Sequence, residues 1–171
     1  MNDTTDSSWH FGDTKEDIEL AEMELDLWRM ISSFIRWQED CQKYVDVNNS
    51  LTANEIAILH VIRMKDKAKS AYDVARLLNR DDMPNVTRSI RKLVSLSLIE
   101  KTAHSGSRES HYITTEEGKR NTDSFISIKK RILLEAFKQE TDIDLPKITS
   151  SLAKMRTIYD EASRASVTHQ I

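Results

Sequence analysis

Residues 70–115, SAYDVARLLNRDDMPNVTRSIRKLVSLSLIEKTAHSGSRESHYITT, limit the possible folds of this chain more than any other stretch. Ser70 with Asp73 three positions on is a capping-box start, and Ala71, Val74, Ala75 and Leu78 then share one helical face. Asn79-Arg80-Asp81-Asp82 is polar and turn-prone, and Pro84 suits the first turn of a following helix, where a missing N–H costs nothing. In that second helix Val86, Ile90, Leu93 and Ser97 fall on one side. Asn85, Arg88, Lys92 and Ser95 fall opposite, with Ser89 and Arg91 on the flanks. Two short β-prone runs follow, 98–104 and 110–115, joined by a loop in which Gly106 supplies the permissive turn residue. Helix, turn, helix and hairpin in this order spell a winged helix-turn-helix.

A helix buried on one side and carrying Asn, Arg and Lys on the other suits a DNA major groove. Asn and Arg match the edges of adenine and guanine, while Lys, Ser and Thr hold phosphates or approach a thymine methyl. The expected contacts are Asn85, Thr87, Arg88, Ser89 and Lys92, with Arg91 and Lys101 on phosphates. Arg108, near the hairpin tip, is placed to reach a minor groove or a flanking phosphate. Polar residues on a helix are more often merely solvated. Their place on the second helix of a winged helix is what favours DNA.

Leu93-Val-Ser-Leu-Ser-Leu-Ile-Glu-Lys101, a wing with Arg108, and Thr115-Glu-Glu-Gly118 together resemble the MarR family of bacterial transcription regulators, and within it the LdtR-type subgroup. The resemblance implies a homodimer built from terminal helices, duplex DNA as partner, and a small aromatic or phenolic effector held between the dimer helices and the DNA-binding lobe. Trp28, Ile31, Ser32, Ile35 and His60 are the effector candidates it implies, although core packing is the ordinary role of Trp28 and His60. One departure stands out. Wings of this family carry Asp-x-Arg, and here Gly106 takes the Asp position, so the pairing that braces Arg108 is missing.

Charge distribution fits the same reading. Residues 1–50 hold 4 Lys/Arg against 12 Asp/Glu, residues 51–122 hold 13 against 9, and residues 123–171 hold 8 against 7. The positive excess therefore sits on the expected winged helix, and the acidic first third would turn away from phosphates. Only 3 Gly and 2 Pro in 171 residues favour helices over a β-rich fold. No apolar run reaches membrane-spanning length and no signal pattern opens the chain. One cysteine, Cys41, excludes an internal disulfide and fits a reducing cytoplasm.

The expected organisation is a disordered or loosely docked polar arm over 1–13, with Trp9 and Phe11 either docked on the body or exposed, a dimerisation helix over 14–50, the winged helix over 51–118 and further dimerisation helices over 119–171. Thr14 or Asp13 caps the first helix, which runs to about Val45 with Leu20, Met23, Leu27, Ile31, Phe34, Gln38, Cys41 and Val45 as its stripe. Leu25, Trp28 and Ile35 widen that stripe beyond what one neighbour would cover. Thr52 and Glu55 form a capping box for the next helix, cored by Ile56, Leu59, Val61 and Ile62. Lys65, Lys67 and Lys69 read as solvated loop charges. Thr115 caps a helix whose Phe125, Ile128, Ile132, Leu133 and Ala136 form a buried stripe. In the last helix, capped by Asp144, residues Leu145, Ile148, Leu152, Met155, Tyr159 and Ala162 form a heptad-like seam that needs a partner helix.

Catalytic readings are weak. The five histidines lack metal-ligand spacing, and there is no phosphate loop or nucleophile elbow. Neither a cofactor nor a metal is expected. Cys41 lies on an apolar stripe, which favours core packing over a thiol switch. The competing function is a winged helix that binds only protein; the basic middle third argues against it.

Overall fold

The computed structural model describes residues 12–46, 51–102 and 109–168. Within them α1 spans Lys15–Val45, α2 Ala53–Arg63, β1 Lys69–Ser70, α3 Ala71–Leu77, α4 Met83–Ser95, β2 Ile99–Thr102, β3 His111–Thr114, α5 Glu116–Lys129, α6 Glu135–Gln139 and α7 Leu145–Thr168. The chain divides into two compact units, the first ending at Ile128 and the second beginning at Lys129. The Gly106 turn and Arg108 fall outside the described residues, as do Trp9 and Phe11 of the arm.

The capping signals act as expected. Thr14, Thr52 and Ser70 each close a capping box, with Asp17, Glu55 and Asp73 as the reciprocal partners. Asp82 caps α4 by accepting from the Asn85 backbone N–H at 3.2 Å, and Pro84 sits in its first turn. Between α3 and α4, Asn79 takes φ 54° while Arg80 N–H reaches Ala75 O at 2.9 Å, a left-handed stop that turns the chain sharply. Asn tolerates that conformation better than most side chains.

The core of the first unit is Ile56, Ile58, Leu59 and Ile62 of α2, Val74 and Ala75 of α3, Val86, Ile90 and Leu93 of α4, Leu98, Ile99, and Phe125 of α5. The antiparallel sheet runs β1-β3-β2, with Ser70 opposite His111 and Thr102 opposite the other side of the same histidine. Leu98 joins helix to wing. Its carbonyl accepts from Thr115 N–H at 3.1 Å, and Gly118 lies so close that a Cβ there would stand 1.9 Å from the same oxygen. Thr115 Oγ1 donates to Ser97 O at 2.6 Å and accepts from Gly118 N–H at 3.0 Å, capping α5 onto the wing base.

Three packing expectations need correction. Ser97 does not pack inward; it is exposed at φ 57°, where it ends α4, and Leu98 N–H bonds to Leu93 O at 3.0 Å. Lys69 is not a solvated loop charge. It is buried, and its Nζ donates to the carbonyls of Ile62, Met64 and Lys67 at 3.1, 2.6 and 2.8 Å, closing the C-terminal end of α2. Desolvation pulls that ammonium below the ordinary lysine range. The apolar stripe expected through Ala136 is buried only at Phe125 and half-buried at Ile128; past the end of the first unit, where a π-helical turn spans Lys130–Leu134, Ile132 and Ala136 are exposed and Leu133 half-buried, in a unit with no buried residue among those described.

On α1 the C-terminal end docks, with Cys41 and Gln42 buried, Trp37 and Val45 against the core, and Glu39 accepting from Ala53 N–H at 3.2 Å. Leu20, Trp28, Ile31, Phe34 and Ile35 remain exposed. In the second unit, Asp144 caps α7 through Lys147 N–H at 3.0 Å, and Leu145, Ile148 and Leu152 of its seam are likewise exposed. No helix among the described residues is long and apolar enough to cross a membrane.

Candidate nucleic-acid interface

Helix α4 carries the site. Val86, Ser89, Ile90 and Leu93 are its buried residues, so the opposite face is centred on Pro84, Arg88, Arg91 and Ser95, all exposed. This is a rotation of about 50°, half of one residue step, from the face expected from sequence. Arg91 stands at the centre of the outward face rather than on its flank. Thr87 and Asn85 are half-buried at its margins.

Ser89 and Lys92, both expected at the DNA, make contacts within the chain. Ser89, 5% exposed, accepts a 2.8 Å hydrogen bond from Asn54 Nδ2 of α2. Lys92 Nζ pairs at 2.7 Å with Glu55 Oε2, a carboxylate that is itself nearly buried. Both side chains serve the internal contact between α2 and α4. Sequence position marked them as polar, but only the partner helix could show that buried Ser89 and half-exposed Lys92 bond to α2.

Arg88 is oriented by its own helix. Its guanidinium donates to Asn85 Oδ1, and Asn85 Nδ2 donates to the capping carboxylate of Asp82. Asn85 thus links the helix cap to an outward arginine. To bond a base edge it would have to exchange those partners. Arg80, in the turn before α4, donates to Asn54 Oδ1. Lys101 is exposed on β2. Sequence reasoning placed Glu55 in a capping box and Arg80 in the turn, but missed Asn54 and the contacts that Glu55 and Arg80 make across helices. Their only signal was a polar Asn in the first turn of α2 with no capping duty of its own.

Residues 51–118 match the winged helix DNA-binding domain family. Over most of its length the chain also superposes on solved MarR regulators. It is similar to the MarR family transcription regulator SP03579, with TM-score 0.70 at 16% identity, covering 86% of this chain and 95% of that one. It has the fold of the MarR family regulators. NMB1585, a MarR family regulator from Neisseria meningitidis, gives 0.67 at 14% identity over 86% of this chain and 98% of its own. The Staphylococcus aureus MepR–DNA complex gives 0.60 at 20% identity over 78% and 95%. No curated protein matches the chain. These matches support the MarR-type fold and do not resolve the LdtR-type subgroup.

The five effector candidates are not gathered by a single winged helix chain of this fold. Trp28 is 68% exposed, and Ile31, Ser32 and Ile35 are exposed beside it on α1. His60 is half-buried on α2 and meets Phe125 edge-on at 4.8 Å between ring centroids. A separate hollow of about 240 Å³ is lined by Val45, Asp46, Glu117, Arg120, Asn121 and Ser124, and none of the five contributes to it. Cys41 is buried, and desolvation raises its thiol pKa, which favours the unreactive protonated form. No cluster of three or more His, Cys, Asp or Glu placed to hold a metal occurs among the described residues.

Proposed function

We propose that this chain is a sequence-specific DNA-binding transcription regulator of MarR type, working as a homodimer on a two-fold pseudo-symmetric site. The observation that carries the reading is the outward face of α4, where Arg88 and Arg91 project from a helix fixed on its other side by Val86, Ile90 and Leu93. Arginine forks match guanine O6 and N7, while Thr87 at the margin and Ser95 on the outward face suit methyl or backbone contacts. Lys101 and Arg108 are assigned to phosphates or the minor groove beside the wing.

Dimerisation is supported by the apolar faces that the single chain leaves open, Trp28, Ile31, Phe34 and Ile35 on α1 and Leu145, Ile148 and Leu152 on α7. Solvent-facing rows of this size ordinarily meet a partner. A dimer would set two recognition helices about 34 Å apart, one DNA turn. We assign the small aromatic effector to the α1 side of that dimer, where Trp28, Ile31, Ser32 and Ile35 await a covering surface. An effector favouring one lobe separation would shift DNA affinity by its differential binding.

The test is fluorescence anisotropy of labelled duplexes across a salt series. The reading predicts log affinity falling linearly with log salt and a symmetric site bound far more tightly than scrambled sequence. Salt-insensitive binding, or equal affinity for every duplex, would contradict it.

A further inference from the structure

Apolar packing does not by itself hold the recognition helix. Two polar contacts, one from its buried face and one from its half-exposed margin, tie it to the first turn of α2: Asn54 Nδ2 to Ser89 Oγ at 2.8 Å, and Lys92 Nζ to Glu55 Oε2 at 2.7 Å. Ser89 and Lys92 lie one helical turn apart on α4, and their partners are adjacent in sequence. The same Glu55 oxygen accepts Thr52 N–H at 2.9 Å, closing the capping box of α2. Asn54 Oδ1 also takes the guanidinium of Arg80 in the helix-turn-helix turn, and Ala53 N–H donates to Glu39 of α1 at 3.2 Å. One helical turn of α2 therefore grips the first helix, the turn and the recognition helix together.

Val86, Ile90 and Leu93 set how deeply α4 sits, but an aliphatic face tolerates small rolls at little cost. Directional hydrogen bonds do not. A roll of about 20° carries a side-chain tip roughly 5–6 Å from the helix axis through about 2 Å. That shift is enough to break a bidentate contact with a base. We propose that Glu55 and Asn54 are positioning residues that set the roll of α4, and that Lys92 serves this joint rather than a phosphate. The inference rests on the DNA-binding reading above and concerns which residues set its specificity.

Glu55→Gln separates the alternatives by sign. Gln also closes a capping box, so α2 keeps its start while the ion pair to Lys92 is lost. Affinities for the preferred duplex and for a scrambled duplex would be measured across salt for wild type, Glu55→Gln, Lys92→Gln, Lys92→Arg and the double Gln variant, with thermal melts alongside. We expect each single Gln variant to lower the preferred-to-scrambled ratio about five- to tenfold with an unchanged salt slope, and the double variant to be no worse than either single. Lys92→Arg should restore the ratio. Tighter binding of both duplexes by Glu55→Gln, or a slope reduced by about one ion in Lys92→Gln, would make Lys92 a phosphate contact and overturn the proposal. So would an unchanged ratio. Wild type that binds neither duplex would instead remove the DNA-binding reading itself.

Discussion

At the scale of single residues, two backbone positions at the base of the wing carry opposite expectations. Gly118 has no room for a side chain, since a Cβ would meet the Leu98 carbonyl, a backbone atom that cannot swing aside. Gly118→Ala should lower stability by about 2–3 kcal/mol in urea titration. Ser97, held at φ 57° to stop α4, is strained for a residue with a Cβ. Ser97→Gly should therefore raise stability by about 1 kcal/mol by the same measurement. Asp73 gives a pH dependence. The Ser70 backbone hydrogen bond, with further help from the Ser70 hydroxyl and Arg76, holds its carboxyl below the ordinary aspartate range. Because the folded pKa is the lower one, its contribution is fully present above the unfolded value and is lost as pH falls through the folded value. Asp73→Asn should accordingly flatten the acid end of a stability-versus-pH curve. A curve as steep as that of wild type would contradict the capping role.

The element on which the proposed function rests is α4, and what sequence could and could not show is clearest there. Its start at Asp82 and Pro84 and its apolar row of Val86, Ile90 and Leu93 were readable, because capping chemistry and helical period are local. Its roll was not. Ser89 and Lys92 look like outward residues until Asn54 and Glu55 of another helix are set against them, a contact 35 to 37 positions distant in sequence. Lys69 misled for the same reason, its charge being spent on the far end of α2. The buried stripe expected through Ala136 ended early because the first unit ends at Ile128 and a single chain buries no described residue of the second, which periodicity alone does not reveal. The corrected roll makes Arg91 an outward residue, so Arg91→Ala should cost on the order of 1–3 kcal/mol in binding to the preferred duplex. Anisotropy titration checks it, and an unchanged affinity would return Arg91 to the solvated surface.

For the whole molecule, the exposed apolar rows of α1 and α7 are what support the proposed dimer. Sedimentation should give a dimer, and Leu152→Glu should shift the distribution toward monomer, since a carboxylate has no place in a heptad seam. Most of this level was legible as a need rather than as a structure. A sequence places Trp28, Phe34, Ile148 and Leu152 on apolar stripes that suit a partner surface, but does not show how two copies would meet. The central claim is that an oriented arginine face on α4 reads base sequence. Its most direct test is selection from random duplex DNA, run in parallel with wild type and Arg88→Ala. Wild type should enrich a two-fold symmetric site with half-sites one helical turn apart, and Arg88→Ala should enrich the same site with discrimination relaxed at one base pair in each half. Identical preferences from both proteins, or no enriched sequence from either, would contradict it.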